Sequence, residues 1–276
     1  MKSDPFFVKS LSSILDAADN PVLKSMQVLI AGMNSSKYKI IKPSSFKRNI
    51  DYYLPQYDNK KHHSPYEFFI DLLELLDTQS SALTTTTTAI TIKNKLYESW
   101  INESYGKPNF IKKNYSTSIL SKYTCRSCGI YFHRFKECKS VILQSKKDTA
   151  ISNLVLEYFE KEYTMVEKCS ECCNEFSDGV EHEIEKLFYN LPETLCFKLD
   201  KSNETTKIKI DPEIDLCDHY MNHGTSKYTF HSAVINDCER FCSIISNVII
   251  DDETSFNYNG EYSDLNCSMV FYKKAK

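Results

Sequence analysis

Glycine is scarce in this chain: there are six among 276 residues, and tryptophan occurs once. So little glycine excludes collagen-like and glycine-rich linker architectures. No apolar run approaches the ~18 residues of a membrane span. Val141-Ile142-Leu143 and Val248-Ile249-Ile250 are only strand-sized. Charge of one sign is also missing. A net charge of −3 leaves no basic footprint of the kind a nucleic-acid-binding domain carries, so no direct nucleic-acid partner is expected. The opening MKSDPFFVKSLSSILDA has no positive cluster ahead of a smooth apolar core, so no signal peptide is read and the cytosol or nucleus is expected. No cysteine precedes Cys125.

The rest of the composition describes a folded, water-soluble chain. Hydrophobic residues make up 41% and charged residues 26%, enough for one large domain or two modest ones with proper cores. Eleven cysteines are many for the cytosol. An odd count without a signal peptide argues against a disulfide framework and for metal binding or buried thiols.

The first half reads as helical. Phe7, Leu11, Ile14 and Leu15 recur at helical spacing, and Pro21 opens a second helix over Val22 to Leu29. A linker at Lys42 to Lys47 leads into a third. Pro65 starts an amphipathic helix through Leu76, with proline in its first turn. The polar run at 79–88 reads as a surface loop. After residue 90 strand-like runs take over: Ala89 to Ile92, Lys139 to Leu143, Leu195 to Leu199, Thr229 to Ile235, Phe241 to Ile250 and Ser268 to Tyr272. One helix, Thr149 to Lys161, interrupts them. A helical half followed by a β half predicts an α+β fold.

Two cysteine pairs carry the strongest local signal. Cys125-Arg126-Ser127-Cys128 and Cys169-Ser170-Glu171-Cys172 stand 40 residues apart. Four thiolates on two tight turns suit tetrahedral Zn2+, and four protein ligands leave no place for water, so the site is expected to be structural. Cys173 is an alternative to Cys172. Arg126 and Lys168 are placed to offset the thiolate charge. Free thiols in turns and a redox pair are the rival readings; no βαβ pattern supports the latter.

Further along, Asn190-Leu191-Pro192-Glu193-Thr194-Leu195, the Lys207 to Leu216 run, Tyr228 to Ile235, Ile250-Asp251-Asp252-Glu253 and Val270 to Lys274 follow in order. Together with the cysteine pairs, Lys37 to Lys47 and Tyr66 to Leu73, they resemble the ubiquitin-specific proteases over roughly residues 5–274. The resemblance implies a papain-like cysteine-protease fold in one domain spanning 1–276. A helical thumb would occupy about 1–115, zinc-stapled β fingers about 116–190, and a β-sheet palm about 191–276.

The chemistry of that family needs a thiolate, a histidine that takes its proton, and an acid that orients the histidine. In one register Phe6 falls on the nucleophile; in another the cysteine box is missing altogether. The family's Gly-His-Tyr reads Glu239-Arg240-Phe241 here, after a shortened loop. Arginine stays protonated and cannot act as a general base. Asp251 matches the acid. Cys238, Cys242, His223, His231, His62 and His63 are other thiols and imidazoles. Cys242 reads best as a small buried hydrophobe, and the His62–His63 pair as an exposed loop. For the ubiquitin tail, Ser64 replaces an acidic contact and Glu67 retains a second.

The resemblance therefore implies a catalytically inactive scaffold that binds ubiquitin, a ubiquitin-like protein or the subunits of a larger complex. One alternative is an active thiol isopeptidase, if a cysteine box lies upstream or a dyad is rebuilt. The other is a zinc-stapled structural subunit with no ubiquitin affinity.

Overall fold

A computed structural model of the chain describes residues 21–35, 41–58, 62–81, 110–166, 169, 179–202, 206–222, 224–237, 240–245, 247–250, 255–257 and 266–275. The chain divides into two compact units, Met1–Lys113 and Asn114–Lys276.

The first unit is helical among its described residues. Helix α1 spans Pro21–Asn34, α2 Ser44–Tyr53 and α3 Pro65–Ser81. Proline at the first position of α1 and α3 costs nothing there, because that N–H has no helical partner. Asn49 of α2 donates from Nδ2 to the Pro21 carbonyl at 2.8 Å and to Ser25 Oγ at 2.9 Å, which fastens α2 to the start of α1. Val22, Leu23, Ile50, Leu73 and Leu76 are buried. A 3-10 turn at Pro55–Tyr57 buries the Tyr57 ring, and its hydroxyl donates to Asp71 Oδ2 on α3 at 2.8 Å. Helix α3 runs to Ser81, so residues 79–81 are helical rather than part of the expected loop. The helix expected around Phe7 to Leu15 and the strand expected at Ala89 to Ile92 lie outside the described residues. A short helix α4, Phe110–Tyr115, spans the boundary between the units.

The second unit holds two main sheets. The strands are β1 Thr117–Cys125, β2 Tyr131–Cys138, β3 Val141–Ser145, β4 Thr149–Ala150, β5 Glu162–Val166, β6 Val180–Asn190, β7 Thr194–Lys201, β8 Ile208–Lys209, β9 Glu213–Asp215, β10 Lys227–Asp237, β11 Arg240–Ile245, β12 Val248–Ile250, β13 Ser255–Asn257 and β14 Cys267–Lys274. Strands β2-β1-β6-β5 form a four-stranded antiparallel sheet. The larger sheet runs β13-β12-β11-β10-β14-β7-β3, with β9 also on β10. It is antiparallel except that β3 pairs parallel to β7. Helix α5, Ile151–Phe159, turns Ile151, Leu154, Val155 and Phe159 into the core.

That core gathers Val141 and Leu143 of β3, Phe188 of β6, Leu195 and Phe197 of β7, Tyr228 of β10 and Val270 and Tyr272 of β14. Two of its tyrosines keep their polar ends satisfied: Tyr228 donates to the Pro192 carbonyl, and Tyr272 donates to the Asp211 carbonyl at 2.7 Å. Buried phenols need such partners, because an unpaired hydroxyl in an apolar core is costly.

Several local expectations need correction. Phe241 to Ile250 is two strands, not one; the chain reverses at Asn247, whose φ is +65°. Asparagine tolerates that left-handed geometry better than other non-glycine residues. Thr149-Ala150 is a strand paired with Ile208-Lys209, and the helix is confined to Ile151–Phe159. Ser140 precedes β3 rather than belonging to it. The run Lys207 to Leu216 does give two strands, but β8 pairs with β4 and β9 with β10 rather than with each other.

Candidate metal centre and the expected catalytic positions

Strand β1 ends at Cys125, which is buried, and the chain then turns back into β2. The turn is fixed by backbone bonds: Cys125 N–H donates to the Ile130 carbonyl at 2.8 Å, and Gly129 N–H donates to the Cys125 carbonyl at 2.8 Å. Gly129 sits at φ +75°, a conformation that costs an L side chain roughly 1–2 kcal/mol and glycine almost nothing. Arg126 N–H donates to the Glu181 carbonyl at 3.1 Å and ties the turn to β6.

This turn brings Cys128 against Cys169. Their sulfurs lie 3.6 Å apart, far beyond the ~2.0 Å of a disulfide. The sulfurs of Cys125, Cys128 and Cys169 all lie within 4.8 Å of one another. Tetrahedral coordination with Zn–S bonds of ~2.3 Å places sulfurs ~3.8 Å apart. The cluster therefore has the donor chemistry and the spacing to hold a thiophilic metal. Cys172 and Cys173, the two candidates for a fourth ligand, lie outside the described residues, as does Lys168.

Arg126 does not act as a counter-charge held in reserve. Its guanidinium pairs with Glu181 at 2.7 Å and lies 5.3 Å from the Tyr163 ring centroid. Register explains the pair: Arg126 follows Cys125, which faces His182 across the β1–β6 ladder, so Glu181 is the next residue on the partner strand. His182 is buried and its Nδ1 lies 2.9 Å from the Val180 carbonyl.

Of the expected catalytic positions, Phe6 and Asp251 lie outside the described residues. Arg240 is the first residue of β11, and its backbone pairs with Asp237, the last residue of β10. Only Cys238 and Glu239 separate them. Cys242 lies on β11, half-buried and packed against the core, while His223 and Cys238 are outside the described residues. His231 lies on β10 at a register shift in the β10–β14 ladder, and burial lowers its pKa. Burial pushes the Cys138 thiol up to about 11 and the Cys267 thiol to about 12. The Cys196 thiol is also raised by burial. Cys217 is raised by desolvation first and then by the carboxylates of Asp215 and Asp218. These four thiols are held away from the thiolate form that nucleophilic chemistry requires.

Ser64 and Glu67 meet at the start of α3. Glu67 N–H points to Ser64 Oγ at a long 3.4 Å, and the sequence Ser64-Pro65-Tyr66-Glu67 has the spacing of a capping box. That Ser-x-x-Glu signal was legible in the sequence. Glu67 is exposed and lines a cavity of about 410 Å³ with Tyr57, His63, Tyr66 and Asp71. His62 is exposed, whereas His63 is half-buried and packs edge-on to the Tyr57 ring at 4.9 Å.

Residues 6–234 match the family described as ubiquitin carboxyl-terminal hydrolase. No curated protein matches the chain. Among solved structures, the chain is similar to the SAGA DUB module Ubp8/Sgf11/Sus1/Sgf73 bound to monoubiquitin, with a TM-score of 0.74 and 10% identity. The match covers 99% of this chain and 64% of the other, so the chain spans less than two thirds of that relative's length. The α+β architecture, with its large mixed sheet, is that of the ubiquitin-specific protease fold.

Proposed function

The chain belongs to the ubiquitin carboxyl-terminal hydrolase family, and from that premise we propose that it is a catalytically silent member that works as a protein-binding scaffold. The reading rests above all on position 240. The family's general base is an imidazole at the start of the strand that β11 represents. In the family register Arg240 takes that place, and Cys238 and Glu239 alone separate it from the strand before it. A guanidinium has no lone pair to accept a thiol proton at any accessible pH. Phe6, in the register that keeps a cysteine box, offers no nucleophile either. Asp251, with no imidazole to orient, serves structure.

In this reading the helical segment to about residue 115 is the thumb. The β2-β1-β6-β5 sheet within about 116–190 forms the fingers, and about 191–276 the palm, whose sheet also takes in β3 from the earlier segment. Zn2+ held by Cys125, Cys128, Cys169 and Cys172 staples the fingertips. The scaffold cups ubiquitin, a ubiquitin-like protein or a subunit of a larger complex in the cytosol or nucleus. The assembly of the similar solved structure, with three further subunits and monoubiquitin, supports that class of partner by analogy only.

The test is reaction with ubiquitin carrying a C-terminal electrophile, paired with titration of labelled ubiquitin. No adduct alongside measurable binding is expected. An adduct would overturn the reading in favour of an active isopeptidase. Phe6→Cys alone should give no turnover of a fluorogenic ubiquitin substrate, because Arg240 cannot deprotonate the new thiol.

One observation favours a second reading, a structural subunit without ubiquitin affinity. Ser64 and Glu67 have the arrangement of a helix cap, a role that needs no ubiquitin tail. Absence of binding up to about 1 mM, roughly −4 kcal/mol, selects that reading.

A further inference from the structure

Among the described residues strand β3 is the terminal strand of the large sheet, and none of them pairs with its outer side. The Ser145 carbonyl accepts from Ser202 N–H at 2.9 Å, so it points inward toward the end of β7. Because successive residues of a strand point their peptide groups to opposite sides, those of Ile142 and Gln144 point outward. Among the described residues, no backbone hydrogen bond reaches either on that side. Ile142 is 43% exposed, and Gln144 is exposed.

Open edges invite pairing, and proteins normally guard them with charge or by keeping them short. The other edges here follow that rule. β2 carries His133, Arg134 and Lys136, β5 begins with Glu162, and β13 has only three residues. β3, Val-Ile-Leu-Gln-Ser, has no charge, proline or glycine.

Beside this edge lies a groove of about 690 Å³ between β3 and α5. Its apolar lining comes from Ile142 and Leu154. Its ends differ in charge. Lys146 and Lys147 follow the last residue of β3. Helix α5 then returns along the strand and brings Glu157 and Tyr158 toward the strand's beginning, where Tyr158 and Cys138 pack against the same core.

We propose that this edge groove receives an extended segment of a partner protein as an additional antiparallel strand on β3. The segment is apolar at its centre, acidic at its N-terminal end over Lys146 and Lys147, and basic at its C-terminal end facing Glu157. Backbone pairing to Ile142 and Gln144 gives the attachment, and the two charged ends set the direction. This surface lies within the second unit and requires neither catalysis nor ubiquitin.

The probe is the peptide acetyl-Glu-Glu-Thr-Val-Thr-Lys-Lys-amide, titrated into the full chain by fluorescence anisotropy, with amide exchange followed by NMR. Binding should protect the Ile142 and Gln144 amides and leave those of Val141 and Leu143, already turned inward, unchanged. The peptide with its charged ends exchanged should bind at least ~10-fold more weakly. Gln144→Pro removes one outward donor at an edge position where proline is tolerated, and should weaken binding ~10-fold or more. Should that variant misfold, Lys146→Glu with Lys147→Glu provides the check, because it should reverse the preference between the two peptides. No binding at about 1 mM peptide, protection at other amides, or equal affinity for both charge orders would overturn the proposal. Concentration-dependent self-association that protects the same two amides would overturn it in favour of a second copy of this chain.

Discussion

Removing the Zn2+ proposed for the Cys125, Cys128 and Cys169 cluster should open the turn after β1 and leave the large sheet closed. The turn is held by three short backbone bonds, Cys125 to Ile130, Gly129 to Cys125 and Arg126 to Glu181. Beyond them the described part of the tip carries the exposed Arg126–Glu181 pair and the Arg126–Tyr163 ring contact, and exposed ion pairs contribute roughly 0–1 kcal/mol. A ligand that binds the closed tip and not the open one stabilises it by RT ln(1 + [L]/Kd), about 4 kcal/mol at a thousandfold excess over Kd. Strong chelation should then speed exchange of the Cys125, Arg126 and Gly129 amides by up to ~1000-fold. The Ala233, Ile244 and Val270 amides belong to the large sheet, whose core includes none of Cys125, Cys128 and Cys169, and should not change. Cys125→Ser should reproduce the effect without chelator. Hydrogen exchange read residue by residue is the assay. Acceleration below ~10-fold at the turn, or equal acceleration in both sheets, would refute the reasoning.

Three further outcomes are expected. Gly129→Ala should cost about 1–2 kcal/mol from its positive φ alone, since nothing lies within 4 Å of the new methyl. Gly179→Ala should cost at least ~1 kcal/mol more, because its φ is +85° and its methyl would stand 3.1 Å from the Val166 carbonyl; equal denaturation midpoints would contradict this. Tyr272→Phe should lower stability by about 1–3 kcal/mol, since it strands the Asp211 carbonyl inside the fold; a neutral substitution in urea melts would sink that account. Burial lowers the pKa of His219, whose ring stacks on Phe159 at 4.6 Å and whose buried Nε2 has no partner among the described residues. The unfolded chain therefore binds more protons below about pH 6.5, so stability should fall as pH drops through that value, and His219→Phe should flatten the slope. A slope that survives the substitution in full would count against His219.

Much of the first unit was legible because its signals are local. Pro21 and Pro65 mark helix starts by removing an N–H that a first turn does not use, and apolar residues then recur at helical spacing. The core strands β7, β10 and β14 announced themselves as runs of apolar and β-branched residues. β1, β2 and β6 did not. β2 is edge-exposed and nearly half charged, and the glutamate-rich run of β6 hides a two-residue alternation of Val180, His182 and Ile184 that the burial pattern exposes. At the candidate metal centre the pairing of cysteines in the sequence pointed to Cys125, Cys128 and Cys169 meeting, as they do. The partner of Arg126 was not legible, because Glu181 is 55 residues away and only strand register brings it near. Ser64 and Glu67 were read for a tail contact, whereas their Ser-x-x-Glu spacing also carried the helix-start signal that the structure bears out.

The parallel pairing of β3 with β7 also governs the order in which the molecule can assemble. β3 leaves the ribosome well before the strand it lies beside. Everything from Lys146 to Glu193, including α5 and two strands of the smaller sheet, must be made and folded back before that pairing can close. Closing so long a loop is entropically slow and is rewarded only at the end. Until then both flanks of Val141–Ser145 are bare, so this short apolar segment is the place where a nascent chain would need shielding and where a misfolded one would first find the wrong neighbour.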